Sequence, residues 1–150
     1  NKFKNVRHIF HDLTMPLQNK DILSLSNVEY FINCSGYIDH ASFRDGGQMI
    51  FNNHYKSLYL LAELAMELGV KAFIHIGSSD EYGQNKSPIQ ESMREMPISP
   101  YALAKLTSTH YLQQCFRQGM LNTIILRPFL VFGEMQKTNR FLPYLIHNFY

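Results

Sequence analysis

Several residue types and patterns that define other protein classes are scarce in this 150-residue chain. It has no tryptophan and two cysteines, Cys34 and Cys115, which is too few for a disulfide framework and favours a reducing, cytoplasmic compartment. The formal charge is only +2 and the basic residues form no stripe, so neither nucleic acid nor a membrane surface is an expected partner. No apolar run approaches the length of about 18 residues that a membrane-spanning helix needs.

Phosphate-binding and metal-binding patterns are also missing. The eight glycines include no G-x-G-x-x-G or G-x-x-G-x-x-G, the loop whose backbone N–H groups hold a dinucleotide phosphate. None of the seven histidines is paired with another ligand at a convincing zinc-site spacing, so no metal site is expected. Hydrophobic residues make up 45% of the chain, which is enough for one folded domain with a sizeable core.

Strand-like and helix-like segments alternate along the chain. Short apolar runs predict strands, and apolar positions recurring at helical spacing predict helices. The predicted strands are 6–10, 30–33, 72–76 and 123–127, and the predicted helices are 18–25, 49–68, 100–118 and 139–150. Alternation with short connections favours a doubly wound parallel sheet of the α/β class, with helices on both faces. In such sheets, ligands bind beyond the carboxyl ends of the strands.

A Tyr-x-x-x-Lys pair opens the third predicted helix. Ser99 is a suitable N-cap and Pro100 suits the first helical turn. The spacing places Tyr101 and Lys105 one turn apart on one helical face. An ammonium beside a phenol favours the phenolate, so we expect Lys105 to lower the pKa of Tyr101. A buried tyrosine and a solvated lysine that share a helix by chance would show the same spacing.

The chain holds a second match to this spacing, from Tyr82 to Lys86. Gly83, Gln84 and Asn85 lie between its ends and Pro88 follows, so a loop is predicted there. The neighbours of Tyr101 distinguish the two pairs. A buried-strand pattern followed by Gly77-Ser78-Ser79 precedes Tyr101, and another strand leading into Arg127-Pro128-Phe129 follows it.

This order of strand, serine, Tyr-x-x-x-Lys helix and strand resembles the extended short-chain dehydrogenase/reductase family, the NAD-dependent nucleotide-sugar epimerases and dehydratases. The resemblance runs from about Asp12 to Pro143. It implies a Rossmann-like fold that is incomplete at its N-terminal side. Residues 1–150 would then be the central and C-terminal part of the dinucleotide-binding domain, with the phosphate-binding strand and loop preceding Asn1.

The resemblance implies three catalytic residues. Counting back from Tyr82-Gly83 places Ser78 on the family's catalytic Ser/Thr, with Ser79 as the alternative. Tyr101 would be the acid/base, and Ser78 would bind the sugar hydroxyl and share its proton. Lys105 would lower the pKa of Tyr101 and bond the nicotinamide ribose.

Further positions correspond to the family's cofactor contacts. These expected cofactor-binding residues are Asp12, Leu13, Cys34, Ser35, Gly36, Asn53 and Pro128, together with Tyr101 and Lys105. Asp12 with Leu13 stands where an Asp contacts adenine in the family, with a turn-forming role for Asp12 as the alternative. Asn53 matches the family's N-x-x-G-T segment, but Lys56 replaces its glycine and Ser57 its threonine.

The implied reaction removes a hydride from sugar C4 to NAD and passes through a 4-keto sugar. A 4,6-dehydratase would also need an Asp-Glu pair directly after the catalytic Ser/Thr. Without a gap those positions hold Ser79 and Asp80, and with one gap they hold Asp80 and Glu81. The ungapped pairing lacks the complete pair, so an epimerase is favoured over a dehydratase.

Several alternatives stay open in the sequence. A non-catalytic dinucleotide-binding scaffold or redox-sensing subunit would keep the fold, and NADP is not excluded as the cofactor. Leu130 replaces the Asn that meets the substrate diphosphate in the family. Arg140 is a candidate to bind that diphosphate instead, and a solvated surface arginine is the alternative for this residue. The expected partners are a nucleotide-sugar substrate and a second copy of the chain in a homodimer.

Overall fold

A computed structural model of the protein describes residues 6–18, 22, 25, 27–138 and 140–149. Its regular elements are β1 (Tyr30–Asn33), α1 (Gly47–Glu67), β2 (Ala72–Ile76), α2 (Pro100–Arg117), β3 (Thr123–Leu126) and α3 (Phe141–Phe149). The three strands are parallel and lie in the order β1-β2-β3. The predicted parallel α/β sheet is therefore confirmed, as an open and partial Rossmann-like sheet.

The strand register determines which side chains share a face of the sheet. Phe73 is paired with Phe31 on one side and with Thr123 on the other, so all three point to the same face. Phe73 is completely buried in a cluster with Leu58 of α1 and Leu112 of α2. Burying a side chain of this size stabilises the fold by about 1.5–3 kcal/mol. Both long helices therefore pack on this face.

The opposite face of the sheet is open in the part of the chain that the structure describes. Ile32, Ile74 and Ile124 are paired across the three strands on that face. Ile32 is 60% exposed and Ile124 is 50% exposed. Helices were predicted on both faces of the sheet, but within the described residues the two long helices cover only the Phe73 face.

The ends of α2 follow the local sequence. The Ser99 hydroxyl oxygen accepts a hydrogen bond from the Ala102 N–H at 3.1 Å, and Pro100 occupies the first turn, as predicted. This cap fixes where the helix starts and therefore places Tyr101 in its first turn. The C-caps of α1 and α2 are Leu68 and Gln118, and each is followed by a glycine with positive φ, Gly69 and Gly119.

One predicted strand is wrong. Residues 6–10 are exposed and irregular, and Phe10 is 99% exposed. A strand needs a hydrogen-bonded neighbour, and within the described residues the ladder of β1 runs only to β2, so apolar composition alone does not form one. The predicted helix 18–25 lies largely outside the described residues. Among those that are described, no helix is long and apolar enough to cross a membrane.

Candidate active site

Tyr101 and Lys105 stand together at the carboxyl end of β2. Both lie in the first turns of α2 and are almost fully buried, with 6% and 5% exposure. The Lys105 ammonium donates a hydrogen bond to the Ile76 carbonyl at 2.9 Å, which ties the helix to the last residue of the strand. The predicted helical pair is therefore confirmed as one buried cluster, and Lys105 is not a solvated side chain.

Ser78 joins this pair from the turn that follows β2. A short 3-10 turn, Ser79–Tyr82, begins there, and Ser78 is its N-cap with extended backbone. The Ser78 hydroxyl accepts a hydrogen bond from the Asp80 N–H at 3.1 Å, and the Ser78 side chain lies near enough to Tyr101 to lower the pKa of that phenol. Ser78, Tyr101 and Asp80 line one cleft of about 750 Å³, with Arg140 near its rim. Ser79 lines the cleft as well, but its hydrogen bond is from its backbone N–H to the Pro128 carbonyl at 3.2 Å.

The electrostatics of Tyr101 differ from the expectation. Burial is the largest influence and raises the pKa of Tyr101 above its ordinary value of 10.0. The hydrogen bond with Ser78 and the charge of Arg140 lower this pKa, while Asp80 and Glu81 raise it. The predicted lowering by Lys105 is therefore wrong for this geometry, because the ammonium is directed to the Ile76 carbonyl.

Two histidines that the sequence reasoning did not select lie beside Lys105. His54 of α1 donates from Nε2 to the Tyr37 carbonyl at 2.9 Å and meets the Tyr101 ring edge to face, with ring centroids 5.3 Å apart. His75 of β2 is 2% exposed. A histidine inside the apolar run Ala72–Ile76 was a signal that could have identified it.

Burial and neighbouring charge keep both imidazoles neutral. Desolvation is the main cause in each case, followed by the positive charge of Lys105; together they lower the pKa of His54, and they lower that of His75 to about 3. Burial also lowers the pKa of Lys105, although the charge of Glu81 opposes this shift. His75 Nδ1 accepts a hydrogen bond from the Asn33 amide at 3.2 Å, while its Nε2 has no hydrogen-bond partner within the described residues.

Gly36 lies in the loop after β1, where the backbone approaches this cluster closely. Its φ of +134° is a conformation that side chains disfavour. A Cβ at this position would lie 2.7 Å from His54 Cε1 and 3.5 Å from Lys105 Nζ. Gly36 also lines a second cleft of about 250 Å³ with Leu13, Ser35 and Asn53. Four of the predicted cofactor-binding residues therefore surround one space.

The remaining predicted cofactor residues are not gathered in one place, and Asp12 and Cys34 line neither of these two clefts. Asp12 is exposed and accepts hydrogen bonds from the Thr14 N–H and hydroxyl at 2.9 and 2.8 Å, which lower its pKa and form a turn. Cys34 is exposed and free, and Cys115 is buried. Pro128 lines the larger cleft beside Ser78.

The two acidic residues after Ser79 have different environments. Asp80 lines the larger cleft. Glu81 is completely buried and paired with Arg127, with its Oε2 2.8 Å from Nε of the guanidinium group. Within the described residues no cluster of three or more His, Cys, Asp or Glu side chains is arranged to hold a metal ion.

Comparison with known proteins gives one consistent family. The sequence profile described as "NAD dependent epimerase/dehydratase family" matches residues 1–150. The chain is 24% identical over 147 residues to an uncharacterised UDP-glucose epimerase, YtcB, of Bacillus subtilis (strain 168), a match that covers 91% of this chain and 45% of that protein. It is 25% identical over 142 residues to dTDP-D-glucose 4,6-dehydratase of Dictyostelium discoideum, covering 85% of this chain and 32% of that protein.

The fold resembles that of a solved nucleotide-sugar epimerase. The structure superposes with a TM-score of 0.79 on UDP-N-acetylglucosamine 4-epimerase from Methanobrevibacter ruminantium M1, determined in complex with UDP-N-acetylmuramic acid. The two are 26% identical, and the match covers 94% of this chain and 46% of that one. The chain thus spans less than half the length of each of these three relatives. With its profile match over residues 1–150 and this shared fold, the chain belongs to the NAD dependent epimerase/dehydratase family.

Proposed function

We propose that the complete protein is an NAD-dependent nucleotide-sugar epimerase that acts through a 4-keto sugar. The observation that supports this most directly is the convergence of Ser78, Tyr101 and Lys105 on one edge of the sheet, where ligands of such sheets bind. Two of the three relatives described above are named as epimerases of UDP-sugars. A purely structural dinucleotide-binding subunit would have no need for a buried lysine and tyrosine at the cleft.

The cleft lined by Leu13, Ser35, Gly36 and Asn53 fits the cofactor. Its wall at Gly36 has no room for a side chain, so the backbone itself would face the bound group. An ammonium has three N–H donors and the Ile76 carbonyl accepts one from Lys105, which leaves donor capacity for a ribose hydroxyl. When bound, NAD supplies a hydride acceptor beside sugar C4.

Tyr101 would exchange the proton of the sugar 4-hydroxyl. Burial outweighs the lowering effects of Ser78 and of the Arg140 charge and holds the pKa of Tyr101 above 10.0, so the phenol keeps its proton at neutral pH in the free protein. The positive charge of bound, oxidised NAD would favour the phenolate that accepts the substrate proton. The Ser78 hydroxyl accepts from the Asp80 N–H and lines the same cleft as Tyr101, and it would relay the proton between substrate and phenol. Arg140, on the rim of the cleft, is the candidate to bind the substrate diphosphate.

A 4,6-dehydratase is the second candidate, because one relative named above has that activity. The buried Glu81 argues against it. A dehydratase would need a base for the C5 proton and an acid for the C6 hydroxyl, and the Glu81 carboxylate is paired with Arg127 inside the protein. Asp80 alone lines the cleft from this pair.

The test is product mass. The full-length protein is incubated with NAD and a panel of UDP-, GDP-, CDP- and dTDP-hexoses, and each product is analysed by mass spectrometry. An epimerase gives a product of unchanged mass, and Asp80→Asn retains most of this activity. A product lighter by one water, absent in Asp80→Asn, would establish a dehydratase. NADP in place of NAD in the same assay determines the cofactor.

We further propose that the protein is a cytoplasmic homodimer, formed through an aromatic row on α1 and α2. The row runs through Phe51, Tyr55, Tyr111 and Tyr59, with successive ring centroids 6.2, 6.2 and 5.7 Å apart. Tyr59 is 40% exposed and, with its half-buried neighbours, leaves an aromatic surface on two adjacent helices that a second copy of the chain would cover. Sedimentation analysis of full-length protein tests this: a dimer that dissociates in Tyr59→Glu supports it, and a wild-type monomer contradicts it.

A further inference from the structure

The Glu81 carboxylate lies where three elements meet, and it is 0% exposed. Its Oε1 accepts a hydrogen bond from the Ser78 N–H at 2.9 Å. Its Oε2 accepts from the Thr109 hydroxyl of α2 at 2.8 Å and from Arg127 Nε, directly after β3, at 2.8 Å. A buried carboxylate is tolerated only when its charge and its lone pairs are satisfied in this way.

The surroundings of Glu81 are shaped for this carboxylate. A side chain on Gly77 would clash with Glu81 Oε1, so glycine there leaves room for it. Arg127 is itself held by Glu95, whose Oε1 accepts from Nη2 at 2.8 Å, and its guanidinium lies over the Tyr82 ring at 4.9 Å. The partner of Glu81 is therefore fixed independently of Glu81.

Both carboxylate oxygens of Glu81 are required as hydrogen-bond acceptors. Ser78 requires an acceptor at Oε1, while Arg127 and Thr109 require one at Oε2. A carboxylate has an acceptor on both sides, whereas an amide has one oxygen and one NH₂ group. In Glu81→Gln the oxygen would face the charged guanidinium, and the NH₂ group would face the Ser78 N–H, donor against donor.

We propose that Glu81 is a positioning residue, which holds the backbone of Ser78 so that the hydroxyl of this serine meets Tyr101. The Ser79 N–H donates to the Pro128 carbonyl at 3.2 Å and provides a second link between this turn and the segment after β3. The proposal rests on the proposed function, since that function assigns proton transfer to Ser78 and Tyr101. A role in holding Ser78 also explains why the Glu81 carboxylate is buried and does not line the cleft.

The kinetic test is a double-mutant cycle in the full-length protein. Glu81→Gln is expected to lower kcat by about 10- to 100-fold with little change in the sugar KM, because misplacement of a reacting group affects the chemical step. If Glu81 acts through Ser78, the variant Ser78→Ala with Glu81→Gln is no slower than Ser78→Ala alone. Multiplying effects would overturn the proposal.

Glu95→Gln is the matched control. It is the same substitution on the other acidic partner of Arg127, and its hydrogen bond to Nη2 can be kept by the amide oxygen. Its kcat is expected to stay at the wild-type value. An equal loss in Glu95→Gln would mean that the charge on Arg127, and not the contact with Ser78, controls activity, which would also overturn the proposal.

Amide hydrogen exchange gives a readout that does not depend on turnover. In Glu81→Gln the Ser78 amide is expected to exchange at least about 10-fold faster, while the Phe73 amide, which donates to the Asn122 carbonyl at 2.8 Å, keeps its rate. Unchanged exchange at Ser78 would overturn the proposal. A wild-type protein with no turnover, together with faster exchange in Glu81→Gln, would refute the proposed function and retain Glu81 as the anchor of Ser78.

Discussion

The spacing Tyr-x-x-x-Lys occurs twice in this chain, and the two copies have different structures. Tyr101 and Lys105 lie on a capped helix, and both are buried at the end of β2. Tyr82 ends a short 3-10 turn, its ring is packed under the Arg127 guanidinium, and Lys86 is exposed in the loop beyond it. The same four-residue spacing therefore brings the two side chains together in a buried pair only where a helix carries both on one face.

The largest expected effect is at Tyr101. Tyr101→Phe in the full-length protein should remain folded but lose turnover by about 10²–10⁴-fold, because the proposed role of the phenol is to exchange the substrate proton. Steady-state kinetics with the active nucleotide sugar measures this. Circular dichroism of the variant controls for folding, and activity within twofold of wild type would show that Tyr101 is not the acid/base.

The second effect concerns the cleft beside Lys105. Gly36→Ala should weaken NAD binding by at least about 10-fold, since the added Cβ would strain the backbone and displace His54. Gly46→Ala is the matched control, because Gly46 also has a positive φ, of +101°, but has no atom within 4 Å of an added Cβ. Calorimetry with NAD compares the two. Equal losses would mean that backbone strain alone, and not the close approach to His54 and Lys105, explains the effect.

A third expectation follows from the neutral histidine beside Lys105. The folded pKa of His75 is about 3, below its ordinary value of 6.5, so the unfolded chain binds more protons between these values. The stabilisation is therefore complete above pH 6.5 and is lost as the pH falls toward 3, by at most about 1.4 kcal/mol per pH unit. Denaturant unfolding at pH 7 and pH 5 should show this slope, and His75→Leu should reduce it. An unchanged slope in the variant would assign it to other groups.

The smallest expected effect is at the other copy of the motif. Tyr82→Phe keeps the ring under Arg127, and kcat is expected to stay within about twofold of wild type. The same kinetic assay as for Tyr101→Phe applies. A comparable loss in both variants would contradict the choice of Tyr101.

The local sequence predicted the elements on which the site is built. Strand β1 and strand β2 have the predicted bounds, and α2 starts at the predicted Ser99 cap, because apolar periodicity and capping act over a few neighbouring residues. Residues 6–10 have strand-like composition but no paired neighbour in the described sheet, so that prediction failed. Composition gives a tendency to extend, while strand formation depends on a partner elsewhere in the chain.

The sequence by itself determined the fold class and which tyrosine lies on a helix, since both follow from periodicity and helix capping. The tertiary structure alone decided what surrounds them. It turned Lys105 toward the Ile76 carbonyl, brought His54 and His75 beside it, and removed Glu81 from the cleft to pair with Arg127. These contacts join residues 29 to 51 positions apart in the sequence. Burial and contacts with distant residues determine the protonation of the two histidines and the ion pair of Glu81. The spacing of neighbouring residues in the sequence carries no information on either.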